Sequence, residues 1–589
     1  MRTRRALQAL SAGGIIILAL VALSLVVSAL DDLVGLLAVL ALTLVSLAAR
    51  RMVGRHVPSG TVLELDLDRG VVEKPPGQPI ERVLSHGAVV LRDVTDALKR
   101  AGEDDRIIGV VARVGNGGLS IAQAQELRTA VKRFRDSGKR TVAHSESFGE
   151  SGLAIADYYL ASAFEEIFLV PRGSVSVQGL VTRTPFLKGV FDRLGVEPDF
   201  GHRREYKSMK YLLTEDHYVP PHEEAATAVL EEHIDQIVTG IAADRSMEAS
   251  VVRDVIDRAP LYDIEAVEAG LVDRIGFRDE AYETAQGSGR GFMFADQYLK
   301  RAGRPHRRGP RIALIYGTGS IQRGSSGLDP LTRGTSFGAD DVAKAFREAR
   351  DDDKVIAIVF RVDSPGGSAV ASEVVHREVV RAREAGKPVV VSMGSVAGSG
   401  GYYVSVGADR IVAQPGTVTG SIGVVYGKLA TAGAWRRLGL NWGQLHVGAN
   451  ATFTSPGSTY SDSERERLEA GLDVIYDGFK GLVAEGRGMS AEEVERVAKG
   501  RVWTGQRASE LGLVDRLGGL EEAIGLASDL AGVEEDTPVN VQLYPRAGIL
   551  PVRAPKPSSE PVKELLSVLA SAVPPSAPLE VRSTHRWDL

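Results

Sequence analysis

Two stretches of this chain are versions of one segment. DVTDALKRAGEDDRIIGVVARVGNGG begins at Asp93, and DVAKAFREARDDDKVIAIVFRVDSPGG begins at Asp341. The offset is 248, and it carries on through SGKRTVAHS against AGKPVVVSM. On it Ser151 falls on Ser399. The first copy then holds four extra residues, so YYLASAFEEIFLVPRGSV meets YYVSVGADRIVAQPGTV at an offset of 244. Later, EAGLVDRIG (268–276) matches ELGLVDRLG (510–518). A chain repeated at this length folds as two related units that pack together, not as a single unrepeated core.

Each copy alternates two periodicities. DDVAKAFREAR and SEVVHREVVRAREAG have helical spacing, the second with a glycine stop. VIAIVFRV and PVVVSM are continuous apolar runs, as in strands covered on both faces. The pattern predicts an α/β protein with parallel sheets and crossover helices. Apolar residues make up 44% of the 589, enough for such cores. The first repeat is expected over 58–290 and the second over 311–534. A basic, Gly- and Pro-containing linker covers 291–310, solvated or touching lipid headgroups. The Pro-rich tail, 535–589, reads as extended or disordered, with one short amphipathic helix near 562–569.

Residues 1–57 read as a membrane anchor. Runs 7–30 and 33–49 are apolar, separated by Asp31 and Asp32, and each approaches the ~20 residues a spanning helix needs. Arg2, Arg4 and Arg5 flank one end and Arg50, Arg51 and Arg55 the other. Basic flanks stay in the cytoplasm, so two spans form a hairpin that leaves the rest cytoplasmic, whereas a single span puts it outside. The net charge of −6 gives no reason to expect nucleic acid. The absence of cysteine excludes disulfides, thiolate metal sites and cysteine nucleophiles. No cluster has metal-ligand spacing, and no cofactor is implied.

The chemistry concentrates in GSVAGSGGYYVS (394–405), which follows a strand-like run. Ser399 stands where a strand meets a helix, between glycines that let a substrate backbone approach. Alone, the motif also fits a tight turn that needs small residues. VDSPGG (362–367) ends the preceding strand at the sheet's C-terminal edge, where parallel sheets bind ligands. The amides of Gly367 and Gly400 are candidates to hold a developing oxyanion. None of the eleven histidines sits in a motif: His376 reads as solvated on a helix, and His144 as a core or edge residue. The base is therefore sought in a buried lysine, as in serine–lysine variants of the triad. REYKSMK (204–210) supplies Lys207; at offset 244 the second copy has Ala451 there. The residues alone leave Lys207 either as that base or as one of many surface lysines.

Together, SVAGSGGYYVS, VDSPGG, TVTGSIGVVYG and EYKS resemble the signal peptide peptidase A family in its long, tandem-repeat bacterial form, over roughly residues 62–532. The resemblance implies a ClpP/crotonase-like fold and a membrane-anchored serine protease of the bacterial inner membrane. It also implies assembly into a homo-oligomeric ring or bowl, such as a tetramer, acting on cleaved signal peptides beside membrane lipid. By position it implies Ser399 as nucleophile, Lys207 as general base, Gly367 and Gly400 in the oxyanion loops, and Ser421 as a hydrogen-bond partner of the lysine. Val177 stands at the place of Ser421 in the first copy, whose Ser151 then reads as inactive. The family places the catalytic part in the periplasm, against the cytoplasmic side favoured by the charge pattern. Two rivals remain: a crotonase-like acyl-CoA thioester enzyme, and a non-catalytic membrane scaffold.

Overall fold

A computed structural model describes residues 56–75, 87–150, 152, 154–327, 336–534 and 537–546. The expected spans 7–30 and 33–49, the helix near 562–569 and Ser151 lie outside the described residues. Among the described residues no helix is long and apolar enough to cross a membrane.

Each copy builds one sheet. In the first, the strand order is Arg274–Ile275, Glu166–Leu169, Arg140–Ser145, Ile107–Arg113, Thr61–Asp66, Gly291–Phe294, with every neighbouring pair parallel. Alternate residues of these strands enter two separate cores. Leu63, Leu65, Val110 and Ala112 point into one; Val62, Val111 and Val142 point into the other. That explains the continuous apolar runs, because a strand covered by helices on both faces has no solvent side.

The second sheet repeats the plan. Its central strands, Val355–Ser364 and Val389–Gly398, pair in parallel. Ile358, Phe360 and Val362 face one core, and Ala357 and Val359 the other. Burying each large apolar side chain contributes roughly 1.5–3 kcal/mol.

Two boundaries differ from the sequence reading. Residues 291–302 are not linker: Gly291–Phe294 is the edge strand beside Thr61–Asp66, and Ala295–Ala302 is a helix that buries Tyr298 and Leu299. Asn540–Tyr544, read as extended tail, is the corresponding edge strand of the second sheet, parallel to Arg311–Thr318. Both are short edge strands with glycine or proline nearby, a composition that also suits a loop.

The copies are joined by exchange. Glu197–Arg203 of the first copy pairs antiparallel with Val424–Ala430 of the second over seven residue pairs. The long helix Asp462–Arg487 packs on this ribbon. From it Glu469 and Asp473 each accept from Arg203 at 2.7 Å.

Candidate active site

The strand Val389–Gly398 runs directly into Ser399 and the short helix Gly400–Ser405. Ser399 has φ 53° and ψ −116°, a left-handed conformation that costs a non-glycine residue energy and persists only where its surroundings hold it. Its amide donates to the Gly420 carbonyl at 2.9 Å. The turn at 364–367 lies against it. A Cβ on Gly366, at φ +108°, would stand 2.7 Å from the Gly400 nitrogen and 2.8 Å from the Ser399 Cβ, so only glycine lets the two loops meet. Neither the Gly367 nor the Gly400 amide donates to an acceptor among the described residues.

Lys207 arrives from the other copy, just beyond the exchanged strand. It is buried, and its Nζ lies 3.0 Å from Ser399 Oγ, 2.9 Å from Ser421 Oγ and 2.9 Å from the Ser421 carbonyl. Burial alone brings the amine down from the ordinary lysine value to about 7. A neutral amine that donates its two protons to Ser421 has its lone pair left for the Ser399 hydroxyl. Such a group can accept the serine proton at neutral pH.

A turn of the second copy holds both partners. The Lys499 carbonyl accepts from the Tyr206 amide at 3.1 Å, and the Arg501 carbonyl accepts from the Ser421 amide at 2.7 Å. Between them Gly500, at φ +81°, packs on Lys207; a Cβ there would sit 2.6 Å from the lysine's backbone nitrogen. The Arg501 guanidinium lies over the rings of Tyr206 and Trp503, 4.9 and 4.7 Å from their centroids. It also donates to Glu224 at 2.7 Å, and the Tyr206 hydroxyl donates to the same carboxylate at 2.9 Å. Tyr206, Glu224 and Arg501 escaped the sequence reading; the only signal was the position of Tyr206 beside Lys207.

The first copy differs at the equivalent place. The amides of Gly117, Gly118 and Leu119, in the turn matching VDSPGG, donate to the Asp157 carboxylate, with Gly117 at 3.2 Å. Burial raises this carboxyl to about 7. Ala451, at the second-copy position of Lys207, is exposed in a loop. The five sequence candidates Ser399, Lys207, Ser421, Gly367 and Gly400 are thus brought together, all around the second copy's glycine turns.

Among the described residues no histidine bonds Lys207, Ser399 or Ser421. His144 is fully buried on a strand of the first sheet, and burial lowers it to about 4. His376 is not solvated as its charged neighbours suggested. It is buried with its ring 5.8 Å from that of Tyr403, because the helix turns this face onto the segment after Ser399.

The model of peptidase family S49 matches residues 133–289 and 381–534, one match in each copy. Protease 4 of Salmonella typhi is 32% identical over 469 residues, covering 76% of this chain and 72% of its own. The chloroplastic serine protease SPPA of Arabidopsis thaliana is 30% identical over 533 residues, covering 88% and 75%. Among solved structures, a point mutant of ClpP1 from Listeria monocytogenes aligns with 36% of this chain and 94% of its own, at 15% identity and a TM-score of 0.23. With both copies matched and relatives covered over most of their length, the chain belongs to peptidase family S49 and is a serine-type peptidase.

Proposed function

We propose that the chain is a membrane-bound endopeptidase that hydrolyses cleaved signal peptides and other membrane-associated peptides through a Ser399–Lys207 dyad. The observation that carries the reading is the buried amine of Lys207, 3.0 Å from Ser399 Oγ and, among the described residues, without a carboxylate to hold it protonated. Ser399 Oγ attacks the scissile carbonyl carbon while its proton passes to Lys207 Nζ. The Gly367 and Gly400 amides receive the oxyanion, and Lys207 returns the proton to the leaving amine. Water, deprotonated by the same amine, then releases the acyl group. Ser421 orients the lysine. A substrate in extended form adds beside the glycine turns as a further strand.

In this reading the second copy supplies the nucleophile and the first the base, each on a ClpP/crotonase-like unit. The first unit extends through 302, and Asp157 takes the place of an oxyanion in its own disused turn. Residues 1–57 anchor the chain in the bacterial inner membrane, and the folded part works as a homo-oligomer. The test is labelling of detergent-purified protein with a serine-reactive phosphonate, with peptide hydrolysis measured alongside. Ser399→Ala and Lys207→Ala should each lose both signals by about 10⁴-fold or more while the fold survives. Near-wild-type hydrolysis by Lys207→Ala would place the base elsewhere.

A further inference from the structure

Lys207 moves with the first copy and Ser399 with the second, so any slip between the copies changes the 3.0 Å from Nζ to Oγ. The exchanged strands hold the copies together on the lysine's side. A second set of ties crosses between the copies beneath the two segments that lead into Ser399 and Ser421.

Those segments run side by side. Val396 pairs in parallel with Val418 and Gly398 with Gly420, and the segments end in Ser399 and Ser421. Shortly before Ser399, Ser395 Oγ lies 2.6 Å from Ser120 Oγ of the first copy. Shortly before Ser421, the Gly416 amide donates to Gln125 Oε1 of the first copy at 2.7 Å. The Gly416 carbonyl lies 3.0 Å from His233 Nε2, and Gln236 donates to the Pro415 carbonyl at 3.2 Å. Gln125 donates in turn to Gln236 at 2.8 Å. A Cβ on Gly416 would stand 2.7 Å from Ile121 Cγ2, so this turn lies hard against the first copy. Thr417 links the two segments, its hydroxyl donating to the Gly394 carbonyl at 2.7 Å.

Ser120, Ile121 and Gln125 belong to one helix start. Ser120 caps the helix Ile121–Asp136, and its Oγ accepts from the Gln123 amide at 3.1 Å. Immediately before the cap comes the first copy's glycine turn, whose Gly117, Gly118 and Leu119 amides donate to Asp157. At offset 248 Leu119 is the counterpart of Gly367. The amide that faces an oxyanion in the second copy thus faces a carboxylate here, one that is only 1% exposed. Hydrogen bonds to an ionised carboxylate are among the stronger ones, so Asp157 holds the turn, and the turn sets the helix start. Further along the same helix Arg128 donates to Ser162 Oγ at 2.8 Å and to the Gly240 carbonyl at 3.3 Å.

We propose that Asp157, Ser120 and Gln125 are positioning residues for the reaction at Ser399. The turn held on Asp157 fixes one helix start against both segments that enter the site. Nucleophile, Ser421 and base are then all referred to the first copy. The inference rests on the reading of Ser399 and Lys207 as the dyad. A misplacement of about 1 Å costs such a site up to about 10²-fold in rate. Cutting a tie therefore lowers the rate at each site, whereas a purely structural contact would lower the number of folded sites.

The test measures those two quantities separately. In full-length protein purified in detergent, the serine-reactive phosphonate counts competent sites at its endpoint, and peptide hydrolysis gives kcat per counted site. Ser399→Ala and Lys207→Ala should both lose activity; if either keeps it, or if wild type takes no label, the dyad reading falls and this inference with it. Ser395→Ala removes the tie and leaves the helix cap intact. It should label to the wild-type endpoint and melt within about a degree of wild type, with kcat per site about tenfold lower and KM little changed. The acid limb of its pH profile should hold its position, because Lys207 stays buried. Asp157→Asn should also lower kcat per site about tenfold. The double variant should fall no further than the larger single loss, since both act through the same helix start. Unchanged kcat per site in Ser395→Ala would overturn the inference, as would losses that multiply in the double variant. Should Asp157→Asn fail to fold, Ser395→Ala decides alone.

Discussion

Arg361, in a central strand of the second sheet, donates at 2.9 Å to Glu126, on a helix of the first copy. The same guanidinium reaches Glu73 of the first copy at 3.0 Å and Ser392 of its own sheet at 2.9 Å. Glu126 also accepts from the Leu520 amide, so one buried carboxylate ties together segments from both copies. Removing the cation leaves two buried acids unpaired. Arg361→Met should therefore cost about 3–5 kcal/mol in chemical denaturation. The deficit should narrow as pH falls, because burial raises the Glu73 carboxyl and its protonation relieves one of the two unpaired charges. Peptide hydrolysis should fall with the folded fraction.

The pH profile of hydrolysis follows from Lys207. The amine must be neutral to take the Ser399 proton, and burial sets it to about 7. Below that pH it is charged, so kcat/KM should drop about tenfold per unit on the acid side and level off above it. The acid limb should keep its position when the salt concentration changes, since no exposed charge sets it. A limb near pH 5 would point to a carboxylate or histidine instead.

The same burial predicts a stability change. A lysine with a lowered folded value binds its proton less readily than in the unfolded chain, so stability rises with pH between about 7 and the ordinary lysine range. Lys207→Met removes that cost. The variant should melt higher than wild type at pH 7, and the difference should shrink toward pH 10. Thermal melts at several pH values measure it directly.

Arg501 acts on the site through others. Its carbonyl fixes Ser421, while its guanidinium fixes Tyr206 and Glu224 beside Lys207. Arg501→Met keeps the backbone and the apolar stem but loosens the first copy's loop. It should lower kcat about 10–100-fold with little change in KM, and move the acid limb upward as water reaches the lysine. Arg501→Lys should recover part of both. Unchanged pH dependence would mean that the clamp serves folding alone.

The sequence was most informative where residues act through local chemistry. Glycines crowded around Ser399 and after Asp363 announce close backbone approach, and that approach is what Gly366 and Gly400 make. The asymmetry between Lys207 and Ala451 announced a site divided between the copies. What escaped depends on contacts between distant residues. Arg361, Glu73 and Glu126 look like ordinary charges until the copies pack and bury them. Asp157 looks like a helix-face acid, yet it closes the first copy's amide turn. His376 was misread because its neighbours along the chain are charged while its neighbours in space are Tyr403 and Gly407. The strands at 291–294 and 540–544 were missed because a short edge strand carries too few residues to set a period.

The division of the site between copies gives the order of synthesis a meaning. The lysine leaves the ribosome long before the serine, and the turn that clamps them, Lys499 to Arg501, comes later still. In the proposed reading a growing chain therefore passes most of its synthesis without a complete dyad. If Lys207 serves Ser399 as proposed, the site is complete only once residues 499–501 have been made.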